Sequence, residues 1–269
     1  MIALSACEES VDAVLKTELP FTLYGYFNPL ADTQAVRLFT IDGVLEQTEP
    51  EPIDATVSAN ELETGIEFAF RDSIVQYASG MWGHVFWSEF RPSHELTYRI
   101  EARRSDGLVS VGQSTVPPLA SPEVGETDLS DFLLPVPILW RNAPNLIDIV
   151  AVYFTSGGSA VVEYGVEQTE HTDGRLIELQ LRRDTREVLF NAIRLGLDVV
   201  TLDSIAVRVV ITNAGWSPPD GAFDPNVLVE PGTFSNVENG FGFIGAGYPL
   251  EHVFAPSDAV RRAAGFDVE

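Results

Sequence analysis

The residue with the clearest chemistry is Cys7, the single cysteine of this 269-residue chain. It follows Leu4-Ser5-Ala6 and precedes Glu8-Glu9, so a small residue stands directly before the thiol. This pattern is typical of a bacterial lipoprotein processing site, where the thiol is acylated and the chain is cut before the cysteine. The alternative is an incidental cysteine packed as a small hydrophobic residue. We favour lipidation of Cys7, which predicts a tether to a membrane rather than a span across it.

The other residue types that support catalysis or metal binding lack the required spacing. The histidines form neither a helical metal pair nor a His-Glu-x-x-His arrangement; they are His84, His94, His171 and His252. Joint ligation by His84 and His94 across strands stays open. No Gly-x-Ser-x-Gly motif is present, and no carboxylate pair for glycoside hydrolysis can be singled out among 40 acidic residues. We therefore expect no enzymatic activity and no cofactor.

A polar loop near residue 220 offers oxygen atoms to a cation. Asp220, Asp224 and Asn226 are candidate calcium ligands, but their spacing differs from that of an EF-hand loop. Asp and Asn are also frequent turn formers, and turn formation is the interpretation we favour. We therefore expect no metal.

The segment Gly240–Gly245 matches the GxGxxG fingerprint of dinucleotide-binding folds. A helix should start there, yet Pro249 follows, and too little chain remains for a second strand with its ribose-binding acid. We interpret the segment as a glycine-rich strand or turn, in which glycine permits close packing.

Aromatic residues are the candidates for a contact surface. In the segment 81–90, alternation puts Val85 and Trp87 on one face and Phe86, Ser88 and Phe90 on the other. One face is expected to be core, and the other to be exposed together with Trp82. The predicted binding residues are Trp82, Phe86, Phe90, Trp216 and Phe223.

The charge balance excludes several classes of partner. The chain has 16 basic and 40 acidic residues, for a net charge of −24. Such a surface repels nucleic-acid phosphates and anionic lipid head groups. Solubility, including solubility in a salty habitat, explains this charge better than cation binding does, because the acidic residues are scattered. No apolar run approaches the length of a membrane-spanning helix.

Hydrophobic alternation with regular turn signals predicts a mainly β chain of two domains. Residues 1–19 are interpreted as a signal remnant, processing site and tether. Residues 20–117 are predicted to form an immunoglobulin- or fibronectin-like β-sandwich of about seven strands. Residues 118–123 are rich in proline and are interpreted as a linker. Residues 124–269 are predicted to form a second, β-rich α+β domain.

Two short helices are predicted in the second half of the chain. Asp184 is expected to cap the first helix, with Glu187 completing a capping box. The second is expected over Asp258–Ala264, capped by Ser257 and ended by Gly265.

Several segments together resemble an uncharacterised lipoprotein family of Bacteroidota-type bacteria, the domain of unknown function 4249. The likeness lies in Leu96–Ala102, in Asp106-Gly107 with the strand ending at Thr115-Val116-Pro117, in Phe234–Gly245 and in Cys7-Glu8-Glu9. The resemblance implies an outer-membrane or surface lipoprotein, often found beside TonB-dependent transporters. The acids after Cys7 resemble the surface-export signal of such proteins. The family supplies no catalytic residues.

The sequence therefore predicts a non-enzymatic protein anchored by lipid to the outer membrane and exposed at the cell surface. Its expected role is binding, or assistance to a TonB-dependent transporter. Two alternatives stay open. One is a secreted carbohydrate-active enzyme with a sandwich accessory module, and the other is a structural or adhesive subunit that assembles through strand edges.

Overall fold

A computed structural model describes residues 19–41, 51–76, 80, 82–194, 200–216 and 235–268. Within these ranges the chain forms seventeen strands and two helices. In chain order the strands are β1 Phe21–Phe27, β2 Thr33–Thr40, β3 Thr56–Glu61, β4 Glu67–Ala69, β5 Arg71–Gln76, β6 Trp82–Glu89, β7 Thr97–Arg103, β8 Val109–Thr115, β9 Ser121–Val124, β10 Pro135–Arg141, β11 Asn145–Thr155, β12 Gly158–Gly165, β13 Thr169–His171, β14 Gly174–Gln180, β15 Leu202–Thr212, β16 Val237–Glu238 and β17 Gly240–Phe254. The helices are α1 Leu181–Arg194 and α2 Asp258–Ala264.

The strands form three sheets, arranged in sandwich-like layers. The largest has eight strands in the order β12-β11-β15-β17-β1-β2-β6-β5. A five-stranded sheet has the order β16-β8-β7-β3-β4, and a four-stranded sheet the order β13-β14-β10-β9. The prediction of a mainly β, layered fold is therefore confirmed.

Period-two alternation explains why these segments are strands. In β7, Tyr98, Ile100 and Ala102 are buried, and the residues between them are only partly buried. In β10, Val136, Ile138 and Trp140 alternate in the same way. Each strand thus presents one apolar face to a core, as expected when a sheet is covered on one side.

Two apolar cores lie along the eight-stranded sheet. The first packs β1, β2 and β6 against β3 and β7, and contains Phe21, Leu38, Phe86 and Tyr98. The second packs β11 and β15 against β10, β14 and the two helices. Trp140, at its centre, has no exposed surface.

Strand β17 belongs to both halves of the molecule. Its first part pairs in parallel with β1, from Gly240 beside Phe21 to Ala246 beside Phe27. Its second part pairs antiparallel with β15, from Gly247 beside Thr212 to Phe254 beside Ile205. The last strand of the chain therefore completes the sheet of the first core and continues into the second.

The proline-rich segment is fixed between the two halves. Tyr248 on β17 donates a hydrogen bond from its hydroxyl to the Pro118 carbonyl (2.8 Å) and accepts one from the Ala120 N–H (2.7 Å). His94 Nδ1 lies 2.7 Å from the Pro117 carbonyl oxygen. The last residues of the proline-rich segment are part of β9, which is an edge strand and therefore tolerates Pro122.

The first helix begins earlier than its capping pattern predicts. Helix α1 starts at Leu181 directly after β14, so Asp184 lies in the first turn and is not the cap. The N–H groups of Leu181 and Arg182 donate to the carbonyls of Leu134 and Leu133. These backbone partners take the place of a capping side chain. Helix α2 is as predicted: the Ser257 side chain accepts from the Val260 N–H, and Gly265 ends the helix with a φ of 98°.

Candidate functional site

An aromatic surface covers the outer side of the sheet that encloses the first core. We call it the aromatic face and define it by the large side chains that point away from that core. Five of them lie on strands β17, β1, β2 and β6, and the sixth follows β15. They are Phe243, Tyr24, Tyr26, Phe39, Trp87 and Trp216.

Trp216 fixes one end of the aromatic face. Its ring lies edge-on to Phe243, with centroids 5.3 Å apart, and to Tyr26, with centroids 6.1 Å apart. Gly245 lies beneath it on β17, where a β-carbon would come within 2.5 Å of the indole. Tyr24 is buried below this group, and burial holds the pKa of its hydroxyl well above the ordinary value for tyrosine.

Tyr26 and Trp87 form a row across the strands. The β1–β2 register, continued by one residue, puts Ala35 beside Tyr26, and Ala35 pairs with Trp87 on β6. Arg71 on β5 pairs with Trp87 on its other side. Tyr26 is 53% exposed, Ala35 is exposed and Trp87 is half-buried. The row therefore places a methyl group between two aromatic residues on the outward side of the sheet.

Trp87 is held in place by two polar neighbours. Its indole N–H donates to Ser73 Oγ at 2.9 Å. The Arg71 guanidinium lies over its ring, with Cζ 5.2 Å from the ring centroid, which is a cation–π contact. No ion pair involves Arg71 in the part of the chain that the structure describes.

Two of the predicted binding residues are buried instead. Phe86 is 2% exposed and Phe90 is 9% exposed, and both pack in the first core. The ring of Phe90 stacks on that of Phe68 with centroids 4.0 Å apart. Alternation separates the two faces of β6 correctly, but the face carrying Phe86 and Phe90 is the inner one. The outward ring is that of Trp87, which was not among the predicted binding residues.

Two of the other predicted site residues, Trp82 and Trp216, lie in the part of the chain that the structure describes. Trp82 is half-buried at the start of β6, on the inner side of the strand, and Trp216 lies on the aromatic face. Phe223 and the candidate calcium ligands Asp220, Asp224 and Asn226 lie outside the described residues, as does Cys7.

His84 and His94 are committed to separate structural contacts. His84 is buried, with Nδ1 2.9 Å from Asp72 Oδ2 and Nε2 2.8 Å from the Glu51 carbonyl oxygen. His94 contacts the proline-rich segment, as described above. The structure does not join these histidines in one site, and no group of three His, Cys, Asp or Glu side chains suited to a metal ion occurs among the described residues.

The most deeply buried carboxylates are bound by tyrosines rather than exposed in a cleft. Asp184 is 1% exposed, and the hydroxyls of Tyr153 and Tyr164 both donate to its Oδ2. Burial raises the pKa of both hydroxyls, and the neighbouring carboxylate raises it further. Glu61 is bound in the same manner by the Tyr98 hydroxyl at 2.5 Å. These groups stabilise the fold and have no access to a substrate.

The glycine-rich segment belongs to the sheet. Residues Gly240–Gly245 are part of β17 and run parallel to β1, which agrees with their interpretation as a glycine-rich strand. Gly242 has a φ of 110°, and a β-carbon there would lie 2.0 Å from the Leu23 carbonyl oxygen. Glycine is thus required for the close approach of two backbones, not for a phosphate.

Comparison with known proteins adds no assignment. No protein-family model matches the chain, and a search of curated proteins finds no match. The resemblance to the lipoprotein family therefore stays a prediction. No helix among the described residues is long and apolar enough to cross a membrane.

Proposed function

We propose that this chain is a non-enzymatic binding protein of the bacterial cell envelope. In this proposal, lipid at Cys7 anchors it to the outer membrane, and the aromatic face is its contact surface. The observation that carries the binding role is the exposed ring of Tyr26, held against Trp216 on a sheet face that other described residues leave open at Ala35. Contiguous exposed apolar patches mark interaction sites, and Tyr26, Ala35 and Trp87 adjoin one another on this face.

The distribution of carboxylates supports binding over hydrolysis. A glycosidase needs two carboxyl groups facing each other across a cleft. Glu89 is the single carboxylate at the outward positions of β1, β2, β5, β6 and the first part of β17. Asp184 and Glu61 are taken up by tyrosine hydroxyls. The residues that line the aromatic face are therefore suited to contact and not to acid–base chemistry.

The sequence around Cys7 supports the anchor. The diacylglyceryl group of a lipoprotein supplies two acyl chains, which is what stable attachment requires. Residues 8–19 are the proposed tether, which would give the body reach above the membrane. A rigid body with a contact face, held at the membrane, suits a protein that passes a ligand to a TonB-dependent transporter.

Mass spectrometry of the natural protein purified from membranes tests the anchor. We expect a mature chain that begins at an acylated Cys7, and we expect C7A to move the protein to the soluble fraction. S10A, three residues downstream, is the matched control and should stay with the membrane. An unmodified thiol with Met1 still attached would overturn the anchor, and co-purification with a transporter tests the partner.

A further inference from the structure

The aromatic face carries few acidic residues, although the chain is strongly acidic. The whole chain carries 40 acidic and 16 basic residues. At the outward positions of β1, β2, β5, β6 and the first part of β17 the only charged residues are Arg37, Arg71 and Glu89. Arg37 already takes part in another interaction, so Arg71 is the cation that this part of the face offers to an anionic group.

The spacing of the row suits a chain of linked rings. Tyr26 and Trp87 lie on strands separated by one further strand, so their backbones are about 10 Å apart. A disaccharide unit spans such a distance. The C–H face of a pyranose ring carries slight positive charge and packs on the negative face of an aromatic ring. The small side chain of Ala35 leaves room for a sugar between the two rings.

Arg71 can bind a carboxylate, a group that a neutral sugar lacks. Its guanidinium is exposed, stacks on Trp87 and has no carboxylate partner among the described residues. A planar guanidinium binds a carboxylate through two parallel hydrogen bonds. Because Arg71 lies over one face of Trp87, a sugar would pack on the side toward Ala35, and its carboxylate would bind Arg71 across the edge of the indole.

We propose that the aromatic face binds an acidic oligosaccharide, a chain of uronate sugars, with sugar rings on Tyr26 and Trp87 and a carboxylate on Arg71. This proposal rests on the binding role proposed above and names its ligand class. It needs neither the lipid anchor nor a transporter, so it can be tested on the full chain.

Single-stranded nucleic acid is the chief competing ligand for a surface of arginines and aromatic rings. Both polyanions meet the same long-range repulsion from the net charge of −24, which is screened beyond about 8 Å at moderate ionic strength. Single strands are bound by a positive groove that follows the phosphates, and the outward positions of the face offer only Arg37 and Arg71. A uronate chain needs only one of its carboxylates at Arg71, because its sugar rings make the remaining contacts with Tyr26 and Trp87.

Affinity electrophoresis through gels containing polygalacturonate provides the test. We expect retardation of the chain, with affinity reduced about tenfold or more in W87A and in Y26A, because each loses a central ring contact. R71Q should weaken retention by polygalacturonate and have no effect in gels of carboxyl-reduced polygalacturonate, its neutral counterpart. F132A and R103Q are the controls: Phe132 is 73% exposed, the Arg103 side chain is 54% exposed, and neither belongs to the aromatic face.

Y26A keeps the test valid if W87A fails to fold, because Tyr26 lies at the surface. Circular dichroism of each variant separates loss of binding from loss of structure. Equal retention of wild type and the three face variants would overturn the proposal, as would the absence of retention by both polygalacturonate and alginate. Stronger retention by polyglutamate or oligothymidylate would also overturn it, since these polyanions lack sugar rings or carry phosphates. A failure here leaves the membrane anchor untouched.

Discussion

The indole of Trp216 fills the space that a side chain on Gly245 would need. A β-carbon at residue 245 would lie 2.5 Å from Cζ3 of Trp216 and 2.7 Å from Cε1 of Phe243. Because Phe243 and Trp216 are themselves in edge-on contact, neither ring can move aside independently. Gly245 therefore determines where Trp216 lies, and through Trp216 it determines the position of Tyr26.

G245A should displace Trp216 and loosen the aromatic face. We expect the free energy of unfolding to fall by about 1–3 kcal/mol, the usual cost of overpacking. Tryptophan fluorescence should shift to longer wavelength as the indole becomes wetter. G215A is the matched control, since the nearest atom to a new β-carbon there is Asn213 Nδ2 at 3.6 Å. Equal effects of the two substitutions would show that the contact with Gly245 is unimportant.

The sequence predicts the strands of this region well and its surface poorly. Alternation along 82–89 separates Phe86 from Trp87, but both faces of that strand carry large rings. Only the second sheet, which packs Phe68 and Tyr98 against Phe90, decides which face is inside. That sheet is built from residues distant in the chain. Local periodicity therefore could not assign the outer ring to Trp87.

Long-range pairing also explains what was missed at the end of the chain. The sequence gives Gly240–Gly245 the character of a glycine-rich strand, and this is correct. It gives no sign that the partner of this strand is β1, more than two hundred residues earlier. The start of α1 was missed for a similar reason, because its first N–H groups bond to the carbonyls of Leu133 and Leu134 and need no side-chain cap.

D184A should strongly destabilise the second half of the molecule. The substitution removes the acceptor of two buried hydroxyls, those of Tyr153 and Tyr164. Each unsatisfied buried group costs about 1–3 kcal/mol, so we expect a total loss of a few kcal/mol. Chemical denaturation measures it. Glu187, an exposed acid on the same helix, is the control, and E187A should change the stability little. A small effect of D184A would mean that water replaces the carboxylate.

The stability of the fold should decrease in alkali through Tyr98. Burial, and next the hydrogen bond to Glu61, raise the pKa of Tyr98 to about 12. A folded-state pKa above the unfolded value of about 10 stabilises the fold fully below pH 10. This contribution is lost as the pH rises from 10 through 12. Denaturation at a series of alkaline pH values should show the decrease.

Y98F provides the comparison for this pH effect. The variant should be less stable at neutral pH, because Glu61 and the Ser93 N–H lose their shared partner. Its further decrease between pH 10 and 12 should be shallower than that of the wild type. Y26F, which alters an exposed tyrosine, should follow the wild-type curve. Parallel curves for wild type and Y98F would rule out Tyr98 as a source of the alkaline instability.

A fragment comprising residues 19–117 should not fold alone, although it contains nearly all of the first core. Val237, Ile244 and Ala246 complete that core from the end of the chain, and the first part of β17 covers the edge of β1. Without them an apolar strand edge is exposed, so we expect aggregation or a disordered spectrum.

The design of a rescue follows from the pairing of β16. It runs antiparallel to β8, with Val237 beside Gly112, so a short Gly/Ser linker can join residue 117 to residue 235. The extended fragment, 19–117 joined to 235–246, should show a cooperative thermal transition that the shorter fragment lacks. Cooperative unfolding of 19–117 by itself would mean that strand β17 is dispensable to the first core.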